Sequence, residues 1–133
     1  MPWRELPHTA DLCLEITAPD WPALVVEATR ALAARLGGVD ERAPGKARRL
    51  ALSGPDREEL LVRWLAELLY LSEVEKRAPV AVRLTTATNR ELAGEVDFLP
   101  LVAPAGAIKA VTYHNLAVVA AADGWRVRIV FDV

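Results

Sequence analysis

The sequence lacks the residues and runs that identify several large classes of protein. It has one cysteine and two histidines among its 133 residues, so it offers no internal disulfide and few zinc ligands. No apolar run approaches the roughly 18 residues that a membrane span needs. The first residues also lack the apolar stretch of a secretion signal. These absences predict a cytoplasmic protein that does not enter a membrane.

Neither sign of charge is in large excess. The chain carries 16 basic and 18 acidic residues, for a formal net charge of −2. Binding to nucleic-acid phosphates needs a basic surface, so this balance disfavours a protein that grips nucleic acid by itself. The sequence also contains no glycine-rich phosphate loop, no Ser-His-Asp order and no Cys-x-x-Cys pair. It is therefore poorly equipped to be an enzyme.

What the sequence does contain is typical of a folded globular protein. Hydrophobic residues make up 53% of the chain and charged residues 26%, which is the balance of a protein with a full core. A chain of this length can bury roughly two-thirds of its unfolded surface without disulfides. We expect a single domain that spans residues 1–133.

Two segments have the apolar spacing of helices. Between residues 24 and 36, apolar side chains recur at three- and four-residue steps. Asp20, a residue type that caps helices, precedes this segment, and a Gly-Gly pair follows it and is expected to end the helix. The second segment runs from about Arg57 to Ser72 and follows Asp56, another candidate cap. Trp64 lies in its apolar stripe, so we expect this side chain to belong to the core.

The remaining segments alternate apolar and polar residues, as strands do. Residues 1–6 are predicted to be an irregular entry and residues 99–107 a loop, because the latter contain two prolines and a glycine. Strands are predicted at residues 12–17, 46–52, 80–85, 91–98, 108–113, 115–121 and 125–132. This order predicts an α+β fold, with a single mixed, mainly antiparallel β-sheet and two α-helices packed on one face.

Acidic groups lie at the ends of two of these strands. Asp11 precedes the strand at residues 12–17, while Asp132 ends the last strand and the terminal carboxylate of Val133 follows it. If the two strands are neighbours, these groups converge at one edge, where a cation would relieve their mutual repulsion. An all-oxygen set suits Ca²⁺ or Mg²⁺. Taken alone, however, Asp11 can also be a turn cap and Asp132 part of a solvated chain end.

Four further residues could take part in chemistry, although each has an ordinary structural explanation. His8 and His114 can orient a ligand carboxylate or titrate near neutrality, but a hydrogen-bonded structural histidine is the more common case. Lys109 can offset the acidic groups or contact a partner's phosphate, and is otherwise a solvated lysine. Cys13 has apolar neighbours and no adjacent base, so we expect a buried filler and not a nucleophile.

Four stretches, in the same order and across almost the whole chain, together resemble the archease family. The first and third are specific in combination, whereas either alone would be weak. Ala66 departs from the pattern, because a polar residue is expected at its position. The four stretches are His8-Thr9-Ala10-Asp11, the helical segment from Leu60 to Tyr70, Lys109-Ala110-Val111-Thr112-Tyr113-His114, and Phe131-Asp132-Val133.

The resemblance implies a helper protein and not an enzyme. Archeases assist the GTP-dependent RNA ligase of the RtcB type in tRNA splicing and RNA repair, by promoting ligase guanylylation and turnover. By motif match, Asp11, Asp132 and Val133 would bind a divalent cation, which is calcium in the family, with Mg²⁺ or Mn²⁺ as alternatives. The partner would be the ligase, RNA would be met only indirectly, and the protein would be a monomer or weak oligomer.

Two other functions remain open at this point. One is a stand-alone metal-dependent phosphoesterase or nuclease that uses Asp11 and Asp132. The other is an RNA-binding, chaperone-like module in which Lys109, Arg126 and Arg128 contact phosphates. The first predicts turnover without a partner, and the second predicts salt-sensitive RNA binding by the isolated protein.

Overall fold

The structure is a computed structural model that describes residues 2–6, 11–105, 108–113 and 116–133. Within these ranges every strand pairing is antiparallel. The elements run in the order β1 (Trp3–Leu6), β2 (Leu12–Ala18), α1 (Trp21–Leu36), β3 (Gly37–Val39), β4 (Lys46–Ser53), α2 (Arg57–Glu75), β5 (Arg77–Ala87), β6 (Glu91–Pro104), β7 (Ala110–Val111), β8 (Val118–Ala121) and β9 (Gly124–Asp132).

The strands form two sheets where the sequence predicted one mixed sheet. In the five-stranded sheet β1, β2 and β9 lie side by side, and β7 and β8 both pair with β9. In the four-stranded sheet β3, β4 and β5 all pair with β6. Each helix contacts strands of both sheets, and the predicted α+β class is confirmed. Alternation shows which face of a strand is buried but not which strand lies beside it, so it could not separate one sheet from two.

Both helices begin where their capping residues predicted. An Oδ1 atom of Asp20 accepts from the backbone N–H of Ala23 at 2.9 Å, and Asp56 accepts from that of Glu59 at 2.8 Å. The second helix continues three residues beyond the predicted Ser72 to Glu75, and Lys76, whose φ of 57° is left-handed, caps its end. Neither of these two described helices is long and apolar enough to cross a membrane.

The first helix passes into a strand without an intervening loop. Gly37 has a φ of 128° and donates its N–H to the carbonyl oxygen of Ala33. A side chain at this position would collide with the carbonyl oxygen of Ala103 on β6. Glycine is therefore required both for the backbone conformation and for the close approach of the two strands.

Two segments at the strand ends differ from the sequence-based prediction. The entry segment forms β1, which pairs with β2 from Trp3↔Ile16 onward. The predicted loop at residues 99–107 instead continues β6 as far as Pro104. Proline lacks an N–H and so cannot donate to a ladder. At this point of β6 no such donor is used: the carbonyl oxygen of Pro100 accepts from the N–H of Asp40 at 2.9 Å, and the N–H of Leu101 donates to the carbonyl oxygen of Lys76 at 3.0 Å.

The strands predicted at residues 108–113 and 115–121 are much shorter in the structure. Only Ala110–Val111 and Val118–Ala121 pair with β9, while residues 114–115 lie outside the described residues. The alternating pattern is present, but hydrogen bonding to a neighbour, which the pattern does not report, sets the length of a strand.

One buried apolar cluster connects the helices with both sheets. Trp64 belongs to it, as predicted, and is fully buried. Its indole N–H donates to the hydroxyl oxygen of Thr29 at 3.1 Å, and that hydroxyl donates to the carbonyl oxygen of Val25 at 2.9 Å. Thr29 therefore satisfies the indole group and links the two helices through the core.

Replacing Thr29 by valine is expected to destabilise the fold by about 1–3 kcal/mol, because the buried indole N–H of Trp64 is left without its acceptor. Denaturant unfolding followed by tryptophan fluorescence measures this change. The control is Thr29→Ser, which keeps the hydroxyl group and should retain most of the stability. Equal destabilisation of the two variants would show that the methyl group, and not the hydrogen bond, is responsible.

Candidate functional site

The pairing of β2 with β9 brings Asp11 and Asp132 to the same end of two neighbouring strands. The register runs from Ala18↔Trp125 to Leu12↔Phe131. Side chains at Leu12, Ile129 and Phe131 are buried in the core with the helices. The alternate positions lie on the opposite surface of the sheet, which we call the outer face. The predicted neighbour relation of these two strands is therefore confirmed.

Asp11 and Asp132 flank the last pair of this ladder. Asp11 directly precedes Leu12 and Asp132 directly follows Phe131, so each aspartate lies one residue beyond the paired ladder, at the same end of the two strands. Both positions belong to the outer face by alternation. Asp11 is half-buried and Asp132 is exposed. We call these two residues and the carboxylate of Val133 the acidic edge.

The backbone around Asp132 is held on its second side by β7. Ala110 pairs with Asp132, and the N–H of Lys109 donates to the carbonyl oxygen of Asp132 at 2.7 Å. The side chain of Lys109 is exposed, and Val133 is 36% exposed. Among the described residues, Asp132 makes no side-chain ion pair. The backbone of Asp132 is thus held by β7, while its side chain is exposed to solvent.

The predicted roles of the histidines and of the metal site stay predictions. His8 and His114 lie outside the described residues. Within the described ranges there is no group of three or more His, Cys, Asp and Glu side chains arranged to hold a metal ion. The predicted set contains only two such side chains, Asp11 and Asp132, and its third group is a main-chain carboxylate.

Further along the outer face, a buried carboxylate binds two arginines. Glu15 is only 9% exposed, and its Oε1 lies 2.8 Å from an Nη of Arg4 while its Oε2 lies 3.1 Å from Nε of Arg128. The hydrogen bond from Arg128, with the bond and charge of Arg4, holds the pKa of Glu15 below its usual value. Burial opposes this effect but is weaker. Glu15 therefore stays ionised and orients both guanidinium groups.

Cys13 lies between the acidic edge and Glu15 on the same face. It is 7% exposed and pairs with Val130. Burial raises the pKa of its thiol, the positive charge of Arg128 opposes this, and the negative charge of Glu15 adds to it. A buried thiol with a raised pKa is a poor nucleophile, in agreement with the filler predicted from the sequence.

The sequence did not reveal the role of Arg4. Its strand was predicted to be an irregular entry, and the pairing Arg4↔Glu15 follows only from the register of β1 with β2. A usable signal was present, since Trp3-Arg4-Glu5-Leu6 alternates weakly, but four residues between two prolines are too few to distinguish a strand from a turn.

A surface recess lies away from all of these residues. It has a volume of about 470 Å³ and is bounded by α1 and β5, with Val26, Ala33 and Val80 among its lining residues. None of the predicted site residues lines it. Its walls are mainly small and apolar and bring no paired carboxylates or other reactive groups together, so it suggests no chemistry.

Replacing Glu15 by glutamine is expected to lower stability at pH 7 and to make stability less dependent on acid pH. Because the pKa of Glu15 is lowered on folding, the carboxylate stabilises the fold above its unfolded pKa of about 4.3, and this contribution disappears as the pH falls through the folded value. The difference in unfolding free energy between wild type and Glu15→Gln should therefore begin to shrink near this unfolded pKa and continue to shrink as the pH falls through the lower folded value. The exposed Glu5→Gln on the neighbouring strand is the control, and a constant difference would contradict the assignment.

Comparisons with known proteins agree in one family. The model of the Archease protein family (MTH1598/TM1083) matches residues 3–133. The protein archease of Methanosarcina barkeri is 31% identical over 139 aligned residues, which cover 98% of this chain and 95% of that protein. The protein archease of Methanopyrus kandleri is 28% identical, with full coverage of both chains.

Solved structures have the same fold. The solution structure of protein 1598 from Methanobacterium thermoautotrophicum superposes with a TM-score of 0.78 at 19% identity, over 99% of each chain. The crystal structure of an archease from Thermotoga maritima, described as a possible chaperone, gives a TM-score of 0.72 at 26% identity, over 98% of this chain and 96% of that one. On the family match and the relatives together, this chain belongs to the archease family.

Proposed function

We propose that this protein activates a GTP-dependent RNA ligase of the RtcB type, and that its acidic edge acts at the ligase's nucleotide site with a bound divalent cation. In this proposal the protein is an accessory factor that promotes ligase guanylylation and multiple turnover. It does not join RNA itself. The proposed metal is Ca²⁺, with Mg²⁺ or Mn²⁺ as alternatives, and the proposed compartment is the cytoplasm.

The observation that carries the proposal is the register of β2 with β9. The ladder ends at the pair Leu12↔Phe131, so Asp11 and Asp132 each lie one residue beyond it at the same end of the two strands, and Val133 follows Asp132. Like charges brought near each other repel, and a cation removes that cost. Carboxylate and main-chain oxygens are the ligands that Ca²⁺ and Mg²⁺ prefer, which supports the proposal.

The individual residues of the edge have distinct tasks. Asp11 and Asp132 would supply side-chain oxygens and Val133 a main-chain oxygen. The N–H of Lys109 keeps the backbone of Asp132 in place. A divalent cation held there would neutralise negative charge on phosphate oxygens in the complex with the ligase. Because the edge is at the surface and not in a cleft, its groups act on another protein's substrate.

Cation binding is expected to raise the thermal stability of the wild-type protein. At a metal concentration about one hundred times Kd the gain is about 2.7 kcal/mol, and chelation should reverse it. Asp11→Asn and Asp132→Asn should abolish the gain, whereas Asp123→Asn, at the opposite end of β9, should keep it. Asn-Gly suits the same turn, so this control leaves the fold intact. Thermal unfolding with CaCl₂, MgCl₂ or MnCl₂ gives the result, and equal shifts in all four proteins would place the metal elsewhere.

Removing either aspartate is expected to abolish activation of the ligase while the fold persists. Multiple-turnover RNA ligation with a cognate GTP-dependent ligase should fall about tenfold or more for Asp11→Ala and Asp132→Ala, and Asp123→Asn should match wild type. Circular dichroism checks that each variant is folded. Undiminished activation by both alanine variants would refute the proposed role of the edge.

The same assay separates the alternative of a stand-alone phosphoesterase or nuclease. That function requires RNA or phosphoester cleavage by the protein alone in the presence of Mg²⁺. No cleavage without the ligase, together with activation in its presence, supports the accessory role.

A further inference from the structure

The outer face of the five-stranded sheet carries a second group of charges beyond the acidic edge. Arg4 on β1 and Arg126 and Arg128 on β9 all lie on this face, with the buried Glu15 between two of them. We call the three arginines the arginine face. The outer face is thus divided into an acidic end and a basic middle.

The geometry leaves these guanidinium groups available to a ligand. The side chains of Arg4 and Arg128 are 68% and 63% exposed although both bind Glu15. Arg128 uses its Nε atom in that contact, so its two terminal nitrogens are not occupied by it. Arg126 is exposed, and its side chain makes no hydrogen bond or ion pair with any other described residue. Glu15 therefore fixes two arginines without occupying all their donors, and the third has no competing partner within the described chain.

The side chains around the arginines are small and leave the arginines open to solvent. The neighbouring outer-face positions are small, at Thr17, Ala117 and Val119. Arg126 lines two shallow recesses with volumes of about 410 and 200 Å³. Small neighbours leave the guanidinium groups of Arg126 and Arg128 accessible from solvent.

The spacing of the arginines suits a chain of repeated anions. Arg126 and Arg128 are two residues apart on one strand, which sets their Cα atoms about 7 Å apart. A planar guanidinium group binds a phosphate through two parallel hydrogen bonds. None of the described side chains at the outer-face positions of these strands is aromatic, so base stacking is not offered there, and binding would involve the RNA backbone and not its sequence.

We infer that the arginine face binds the phosphodiester backbone of single-stranded RNA and holds it beside the acidic edge. The inference rests on the proposed function in naming RNA as the ligand. The strand direction of β2 leads from the edge at Asp11 to Glu15 over about 13 Å, so an RNA held by the arginines has its backbone close to the edge. With a net charge of −2 on the whole chain, the interaction is weak alone and counts mainly within the ligase complex.

Binding to the isolated protein tests the surface without any ligase. Fluorescence anisotropy with a labelled single-stranded RNA oligonucleotide at low salt should show weak binding that falls as salt rises. The double variant Arg4→Gln/Arg126→Gln should weaken it about tenfold or more and reduce the salt slope by about 0.7 for each phosphate that is no longer bound. Arg128 is retained to keep Glu15 paired. Absence of wild-type binding, or equal binding by the double variant, overturns the inference.

The four-stranded sheet supplies a matched control. Arg49 and Arg83 are exposed on that sheet. The side chain of Arg83 binds Asp97, whereas the side chain of Arg49 makes no hydrogen bond or ion pair with another described residue. The variant Arg49→Gln/Arg83→Gln therefore removes two positive charges, as Arg4→Gln/Arg126→Gln does. In both variants one of the two arginines is ion-paired and the other is not. The control variant Arg49→Gln/Arg83→Gln should bind RNA like wild type. Weakening equal to that of the test variant would mean that net charge alone drives binding, against the inference.

Assays with the ligase distinguish this inference from the proposed function. Ligase guanylylation with GTP and no RNA should be stimulated equally by wild type and by Arg4→Gln/Arg126→Gln, while KM for RNA in ligation should rise severalfold only with the variant. If the variant instead lowers guanylylation, the face contacts the ligase and the inference is wrong. If no ligase is stimulated by wild type but the arginine-dependent RNA binding is present, the proposed function fails and the RNA surface stands.

Discussion

The pairing of β2 with β9 is the constraint on which the rest of the molecule depends. It joins the segment after Asp11 to the last strand over seven residue pairs. It also buries Ile16, Val127 and Phe131 against the helices. The same ladder arranges the outer face, because in a strand each buried residue fixes an opposite orientation for its neighbours. A change of register by one residue would exchange these two surfaces and remove both the core and the charged face.

The outer face keeps its acidic and basic groups apart within a single small sheet. At one end, Asp11 and Asp132 lie one residue beyond the last pair of the ladder. Two positions beyond Cys13 and Val130, the carboxylate of Glu15 is matched by Arg4 and Arg128. The buried Cys13–Val130 pair stands between the two groups, so the aspartates and the arginines remain distinct along the strands.

Sequence reasoning was sufficient where the signal is local. The capping residues Asp20 and Asp56 located the starts of both helices, and alternation placed the last strand at residues 125–132, close to the observed Gly124–Asp132. It failed where the outcome depends on a partner strand. The continuation of β6 through Pro100, the existence of β1, and the division into two sheets are all decided by long-range hydrogen bonds.

The candidate site divides in the same way. Its acidic residues were predictable because they stand at strand ends, and the neighbour relation of their strands is confirmed. The pairing of Glu15 with Arg4 was not predictable, since it requires the register of a four-residue strand. Cation binding at the edge depends on ligand chemistry, which neither alternation nor register describes.

The shortness of β7 has a consequence for how the edge can adapt. Two residues, Ala110 and Val111, pair with β9, whereas β2 pairs with it over seven. Short outer strands open locally at a small fraction of the global unfolding free energy. Amide protons of β7 are thus expected to exchange with solvent much faster than those shared by β2 and β9. The β7 side of Asp132 can then open locally while the pair formed by Leu12 and Phe131 stays closed.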